Sequence, residues 1–171
     1  MALEINECAR KEKILGKNMV LDTTMLDMFA KSGSLDKARE IFEVIPTRVV
    51  VCWSAMIGGY VQHGFGEEAL NCFNRMRYEC VSPDSVTFIW VVKACRNTGL
   101  LDIAEEIHSK VQKEGLLAKD VVLGTTLVDL YAKCGDIKKA QKCSMSSLFG
   151  MQYHGPHLFQ GMLSTDLVTN P

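Results

Sequence analysis

Almost no net charge, no closely spaced pair of cysteines and no apolar run long enough to cross a bilayer: these absences come first. A formal net charge of −1 excludes a chain-wide basic field, though it leaves room for a local one. The seven cysteines, Cys8, Cys52, Cys72, Cys80, Cys95, Cys134 and Cys143, include no CxxC pair. Their odd number suits free thiols in a reducing compartment, so they read as packing residues and no structural metal is expected. The longest uncharged apolar stretch, "VVVCWSAMIGGYV" (Val49 to Val61), has 13 residues. As a helix it rises about 20 Å, short of a hydrocarbon core of about 30 Å, so a buried helix is expected and no membrane partner. The start, "MALEINECARKEKILGK", mixes acids with bases, holds no serine and lacks an apolar core, which makes a poor signal or transit peptide. No GxSxG, phosphate-cradling loop or paired-acid constellation stands out, so no intrinsic catalysis and no cofactor are expected.

What the chain does contain is a repeated phrase. "DMFAKSGSLDKA" (Asp27 to Ala38) returns 102 residues later as "DLYAKCGDIKKA" (Asp129 to Ala140). Two weaker copies lie between. Gly33, Gly64, Gly99 and Gly135 are each followed five residues on by Ala38, Ala69, Ala104 and Ala140, and the glycines are 31, 35 and 36 residues apart. A period of this size marks a stack of supersecondary units.

Each unit reads as two helices. Before each glycine runs an amphipathic segment, "TTMLDMFAKS", "SAMIGGYVQH", "WVVKACRNT" or "TTLVDLYAKC", with apolar residues at three- and four-residue steps. The glycine sits where a left-handed residue ends a helix. A second helix follows, "DKAREIFEVI", "EEALNCFNRM", "DIAEEIHSKVQ" or "KKAQKC", with the alanine inside it. A small residue there lets two antiparallel helices approach closely. No such hairpin buries its apolar face alone, so neighbours must cover one another. An all-α stack follows.

The units lack the Trp-x-x-Leu-Gly-x-x-Tyr pattern of tetratricopeptide repeats, since Trp53 is followed by "SAMIGGY". The chain resembles instead the pentatricopeptide repeat, and in particular plant arrays that alternate short, standard and long units. Residues 50–84 look like a standard 35-residue motif, with Trp53, Met56-Ile57, Gly59-Tyr60, Glu68-Ala69-Leu70, Phe73, Met76 and Pro83-Asp84. Residues 85–120 look like the long motif, with Thr87-Phe88, Lys93-Ala94-Cys95, Ile107-His108 and Gly115. Residues 19–49 and those from 121 to 143 are similar to the short motif, with "LDMFAKSG" and "LVDLYAKCG".

This resemblance implies a right-handed α-solenoid that binds single-stranded RNA of a mitochondrion or chloroplast, about one base per repeat. It implies apolar wedges at the second position of each unit, here Val20, Val51, Val86 and Val122. Base edges would be read by the fifth residue, here Thr23, Ser54, Ile89 and Thr125, together with the closing residue, here Val49, Asp84 and Asp120 or Lys119. Hydroxyls can meet a base edge and isoleucine cannot. Ser54 with Asp84 is the complete polar pair, similar to those that favour purines, guanine most; Val49 departs from the expected acid. Each assignment has a plainer alternative: core valines at helix starts, and Ser54 and Asp84 as simple caps. Lys110, Lys113, Lys119, Lys133, Lys138, Lys139 and Lys142 could touch phosphates or form a solvated helix face.

Arrays of this kind often end in a zinc deaminase-like domain, but neither the His-x-Glu nor the Pro-Cys-x-x-Cys of that chemistry occurs here. RNA modification such as C-to-U editing, or other RNA processing, would then need separate proteins. His63 and His108 read as packing or surface residues, and His154 and His157 lack a third ligand for a metal. After Cys143 the repeat pattern fades, with Ser144 where the earlier units have Phe42 and Phe73. The expectation is a loosely ordered tail over 144–171, a partial preceding helix over 1–18, and a chain that is a piece of a longer or misspliced frame. Stack ends without polar caps predict self-association. Two other readings remain open: a helical scaffold for protein segments, and a fragment with no function.

Overall fold

The computed structural model describes residues 18–152, with side chains to residue 145. Eight α-helices run through the described residues: α1 (Met19–Lys31), α2 (Leu35–Val44), α3 (Val50–Gln62), α4 (Gly66–Tyr78), α5 (Ser85–Thr98), α6 (Leu101–Lys113), α7 (Val121–Lys133) and α8 (Ile137–Gln152), with a 3-10 turn at Leu116–Ala118 before α7. They form four hairpins.

The repeated phrase is the hairpin turn. After α1, Gly33 takes φ +79° and donates to the Ala30 carbonyl, while Ser34 N–H reaches back to Phe29 at 3.0 Å. Gly135 repeats this after α7, with φ +79° and Asp136 N–H on Tyr131 at 2.9 Å. Both are Schellman closures, which favour a residue without a Cβ. The end of α4 makes the same pair of bonds, Cys80 to Arg77 and Val81 to Met76, around a non-glycine: Cys80 has φ +57°. A left-handed cysteine carries a cost of about 1–2 kcal/mol that glycine avoids.

Helix starts are capped by polar side chains at three first helices. Asn18 accepts from Val20 and Leu21, Asp84 from Thr87, and Asp120 from Val122 and Leu123. α3 starts at Val49 without a side-chain cap.

The first helices of successive hairpins, α1, α3, α5 and α7, pack side by side in that order, and α2, α4, α6 and α8 each pack on the first helix of their own hairpin. The two layers enclose one continuous core. Its largest sealed members include Trp53, Tyr131, Phe29 and Phe88. Ala38, Ala69 and Ala104 are wholly buried and Ala140 nearly so, the small-residue contact expected of each hairpin. Gly59 lies so close to α1 that a Cβ on it would meet the Ala30 Cβ at 2.7 Å. Phe42 stacks edge-on against Trp53, centroids 4.8 Å apart, joining α2 to the next hairpin. The apolar stretch from Val49 is largely sealed inside as α3, and no described helix is long and apolar enough to cross a membrane.

At the end of the stack the helix outlasts the repeat pattern. α8 continues through Gln152, so residues 144–152 are helical where a loosely ordered tail was expected. "SMSSLFGMQ" holds no proline, and its Leu, Met and Gln favour helix enough to carry the single Gly150. Residues 1–17 and 153–171 lie outside the described residues, and with them the partial preceding helix, the rest of the tail, His154 and His157.

Candidate functional site

The first turns of α1, α3, α5 and α7 present the same side chain at the same register. Val20, Val51, Val86 and Val122 are 72%, 56%, 50% and 57% exposed. A valine serving the core would be sealed at its helix start; these four face outward, one per hairpin.

One turn further on stand the fifth residues. Thr23 donates its hydroxyl proton to Met19 O at 2.8 Å, Ser54 to Val51 O at 3.1 Å and Thr125 to Val122 O at 3.0 Å. Each hydroxyl is bonded back to its own helix, so the lone pairs that remain are acceptors. Thr125 is exposed, Thr23 partly so, and Ser54 only 8%. Ile89, half-buried against the core, offers no polar atom.

The closing residues are the helix caps. Asp84 Oδ1 takes both the backbone N–H of Thr87, at 2.8 Å, and its hydroxyl, at 2.6 Å. Asp120 Oδ1 takes Val122 N–H and Leu123 N–H at 3.0 and 3.1 Å. In both, the second carboxylate oxygen takes no hydrogen bond from the described residues. Capping therefore does not exclude a second task. Asp120, not Lys119, occupies the cap. Asn18 holds the corresponding place before α1, a position the sequence reading assigned to the preceding segment; an Asn directly before an apolar-periodic run was the available signal.

The lysine cluster divides between layers. Lys110 and Lys113 lie on α6 and Lys138, Lys139 and Lys142 on α8, in the second-helix layer, whereas Lys133 ends α7. Lys139 pairs with Glu105 at 2.5 Å and Asp136 at 3.3 Å, and Lys110 stands over the Phe88 ring. This set is mainly a helix surface opposite the valines. His108 is half-buried, with Nδ1 2.9 Å from the Tyr131 hydroxyl; burial lowers its pKa and pushes that of Tyr131 up to about 12. His63 is exposed, its ring against Gly33. No group of three or more potential metal ligands occurs among the described residues.

Sequence reasoning missed a further pair on the valine side. Trp90 and Lys93 share a stripe of α5 with Val86, and the Lys93 ammonium is 4.6 Å from the centre of the Trp90 ring.

The arrangement can be set beside known proteins. A PPR repeat family model matches residues 48–97, and a PPR repeat model matches residues 23–48 and 125–143. A mitochondrial pentatricopeptide repeat-containing protein of Arabidopsis thaliana is 34% identical over 84% of this chain and 25% of its own. A putative pentatricopeptide repeat-containing protein of the same plant is 41% identical over 75% of this chain and 22% of its own, and a chloroplastic one is 31% identical over 75% and 21%. The chain thus spans a quarter or less of the length of these relatives. The crystal structure of the pentatricopeptide repeat protein PPR10 from maize superposes with a TM-score of 0.62 at 23% identity, covering 77% of this chain and 19% of that one. That likeness shows the helical-repeat fold. With its glycine-closed hairpins and the matches in order along it, the chain belongs to the pentatricopeptide repeat family.

Proposed function

We propose that the chain holds single-stranded RNA along the exposed face of its first helices, about one base per repeat, and serves RNA modification or processing in a mitochondrion or chloroplast. The units are 19–49, 50–84, 85–120 and the one that begins at 121. Catalysis, including any C-to-U editing, belongs to separate proteins. The observation that carries this reading is the row of four half-exposed valines, one at the first turn of each stacked helix. Apolar branched side chains repeated at one register can wedge against the faces of successive unstacked bases, and a stacked helical array spaces them for it. The names of the mitochondrial and chloroplastic relatives support the compartment.

Ser54 and Asp84 sit at neighbouring helix starts, one in α3 and one at the cap of α5. Both offer acceptors, Ser54 through its lone pairs and Asp84 through its second oxygen. The Watson–Crick edge of guanine presents two donors, N1–H and N2–H₂, which suits such a pair. Thr23 and Thr125 contribute single acceptors at their units; Asp120 has Ile89 as its partner position and makes no complete reading pair. The test is a titration of a labelled 12-nucleotide uridylate strand and of variants carrying one guanine. The guanine variants bind more tightly to the parent chain, and Ser54→Ala or Asp84→Asn removes that advantage, about 1–3 kcal/mol for one well-made base contact. Equal binding of all strands by parent and variants would refute the reading role.

A further inference from the structure

The third unit is the odd one. Its fifth residue is Ile89, which cannot read an edge, and its sixth is Trp90, where the other units have Thr24, Ala55 and Thr126. Large apolar residues belong in the core, yet Trp90 is only partly buried, while the other tryptophan, Trp53, is fully sealed. Its place is set by the neighbouring unit. A Cβ built on Gly58 of α3 would lie 2.8 Å from Trp90 Cε2, 2.9 Å from Nε1 and 3.3 Å from Cδ2. All three atoms belong to the five-membered ring, so the glycine backbone lies against one face of the indole. The missing side chain opens the bay that the ring fills. Lys93 stands over the ring, and Gly58 leaves it only the other face.

Charge separates this spot from the rest of the face. At the ninth position of each first helix stand Asp27, Gly58, Lys93 and Asp129. Asp27 pairs with Lys31 at 2.7 Å and Asp129 with Arg96 at 2.5 Å. Lys93 makes no ion pair among the described residues; its ammonium has the indole alone. A flat aromatic ring with one face backed by protein, a lysine ammonium over the ring and an apolar residue, Val86, one turn away are the parts of a single-strand stacking platform.

We infer that Trp90 and Lys93 form a base-stacking site for single-stranded RNA in the third unit, which holds its base without discriminating among the four. An incoming base takes the face of the indole now under Lys93, and the released ammonium meets a backbone phosphate. This rests on the RNA-binding reading above and adds to it a unit that supplies affinity where the second supplies choice.

Tryptophan emission tests it directly, because Trp53 is shut in the core and Trp90 is the one that RNA can touch. The 171-residue chain is titrated with 12-nucleotide uridylate, adenylate and cytidylate strands, following labelled-RNA anisotropy and tryptophan emission together. All three strands quench the emission as they bind. Trp90→Phe, which keeps the bay filled, abolishes the quench. Trp90→Ala weakens all three strands alike, by about five- to tenfold, the lower part of the range for one lost aromatic stack. Lys93→Gln lowers the slope of log affinity against log salt by about 0.7, one phosphate contact on a single strand. Binding with unchanged emission in the parent chain overturns the stacking site and leaves RNA binding intact; that readout needs no variant to fold. No binding of any strand by the parent chain removes both readings.

Discussion

The two layers of the stack use their surfaces differently. On the second-helix layer, charges are joined across hairpins: Arg75 of α4 binds Glu43 of α2 as well as Glu79, Arg77 of α4 meets Glu106 of α6 at 3.0 Å, and Lys139 of α8 meets Glu105 of α6. On the first-helix layer one pair, Arg96 of α5 with Asp129 of α7, also crosses between hairpins. The row of valines there is exposed, however, and among the described residues two cap carboxylates each keep a free oxygen and Lys93 has only an indole for company. Both layers rest on the same core, so fold stability does not explain the difference. A surface whose groups satisfy one another has little left to offer a ligand; one with repeated unsatisfied groups at a fixed register has a great deal. The functional reading follows from that contrast.

The contrast breaks first if the core beneath both layers is opened. Trp53 is fully buried and touches Phe42 of the preceding hairpin. Trp53→Ala should cost about 3–5 kcal/mol in chemical denaturation, the usual price of a large aromatic removed from a packed core. Trp53 Nε1 is buried without a hydrogen-bond partner among the described residues. Trp53→Phe, which removes that donor and keeps most of the volume, should therefore cost less than about 1.5 kcal/mol. Similar losses for both variants would mean that the interlayer packing is looser than the sealed side chains indicate.

The next effect separates the faces. Val51→Asp combined with Val86→Asp puts two carboxylates on the valine row, where they repel phosphates and remove apolar contact. Binding of the uridylate strand should fall by about a hundredfold, or about 2.7 kcal/mol. Stability should change by less than about 0.5 kcal/mol per site, since both positions are exposed and an acid suits the first turn of a helix. Denaturation midpoints and anisotropy titrations on the same preparations check both halves. A large loss of stability would mean that the valines are structural.

Much of this was legible in the sequence, for specific reasons. The glycine–alanine phrase could be read because a left-handed turn and a close helix contact each demand a particular small residue. The register of the exposed valines and of the capping aspartates came through family resemblance, which numbers Val51 and Asp84 without any geometry. Trp90 was illegible: within "FIWVV" it reads as one more core residue, and only Gly58, 32 residues earlier, shows that it has a bay at the rim. Cys80 was missed because nothing in its own chemistry announces a left-handed turn; the bonds around it require one. The extension of α8 to Gln152 was missed because the repeat lettering stops before helix propensity does.

The smallest effect sharpens the contrast from the other side. The hydrogen bond from Arg75 holds the Glu43 carboxyl below its ordinary pKa, against partial burial, which acts the other way. A depressed carboxyl stabilises the fold at pH values above its unfolded pKa of about 4.3, and that contribution disappears as pH falls through the lower folded value. The side chain is nearly half exposed, so solvent screening keeps the gain small, about 0.5 kcal/mol. Glu43→Gln should therefore be about that much less stable than the parent chain at pH 7, and the gap should close on acidification below about pH 4 and shrink in 1 M salt, where the screening length is about 3 Å. RNA affinity should not change, because the residue lies on the layer away from the valines. A gap that persists at pH 2 would assign the effect of Glu43 to packing, and a change in RNA affinity would show that the two faces are not independent.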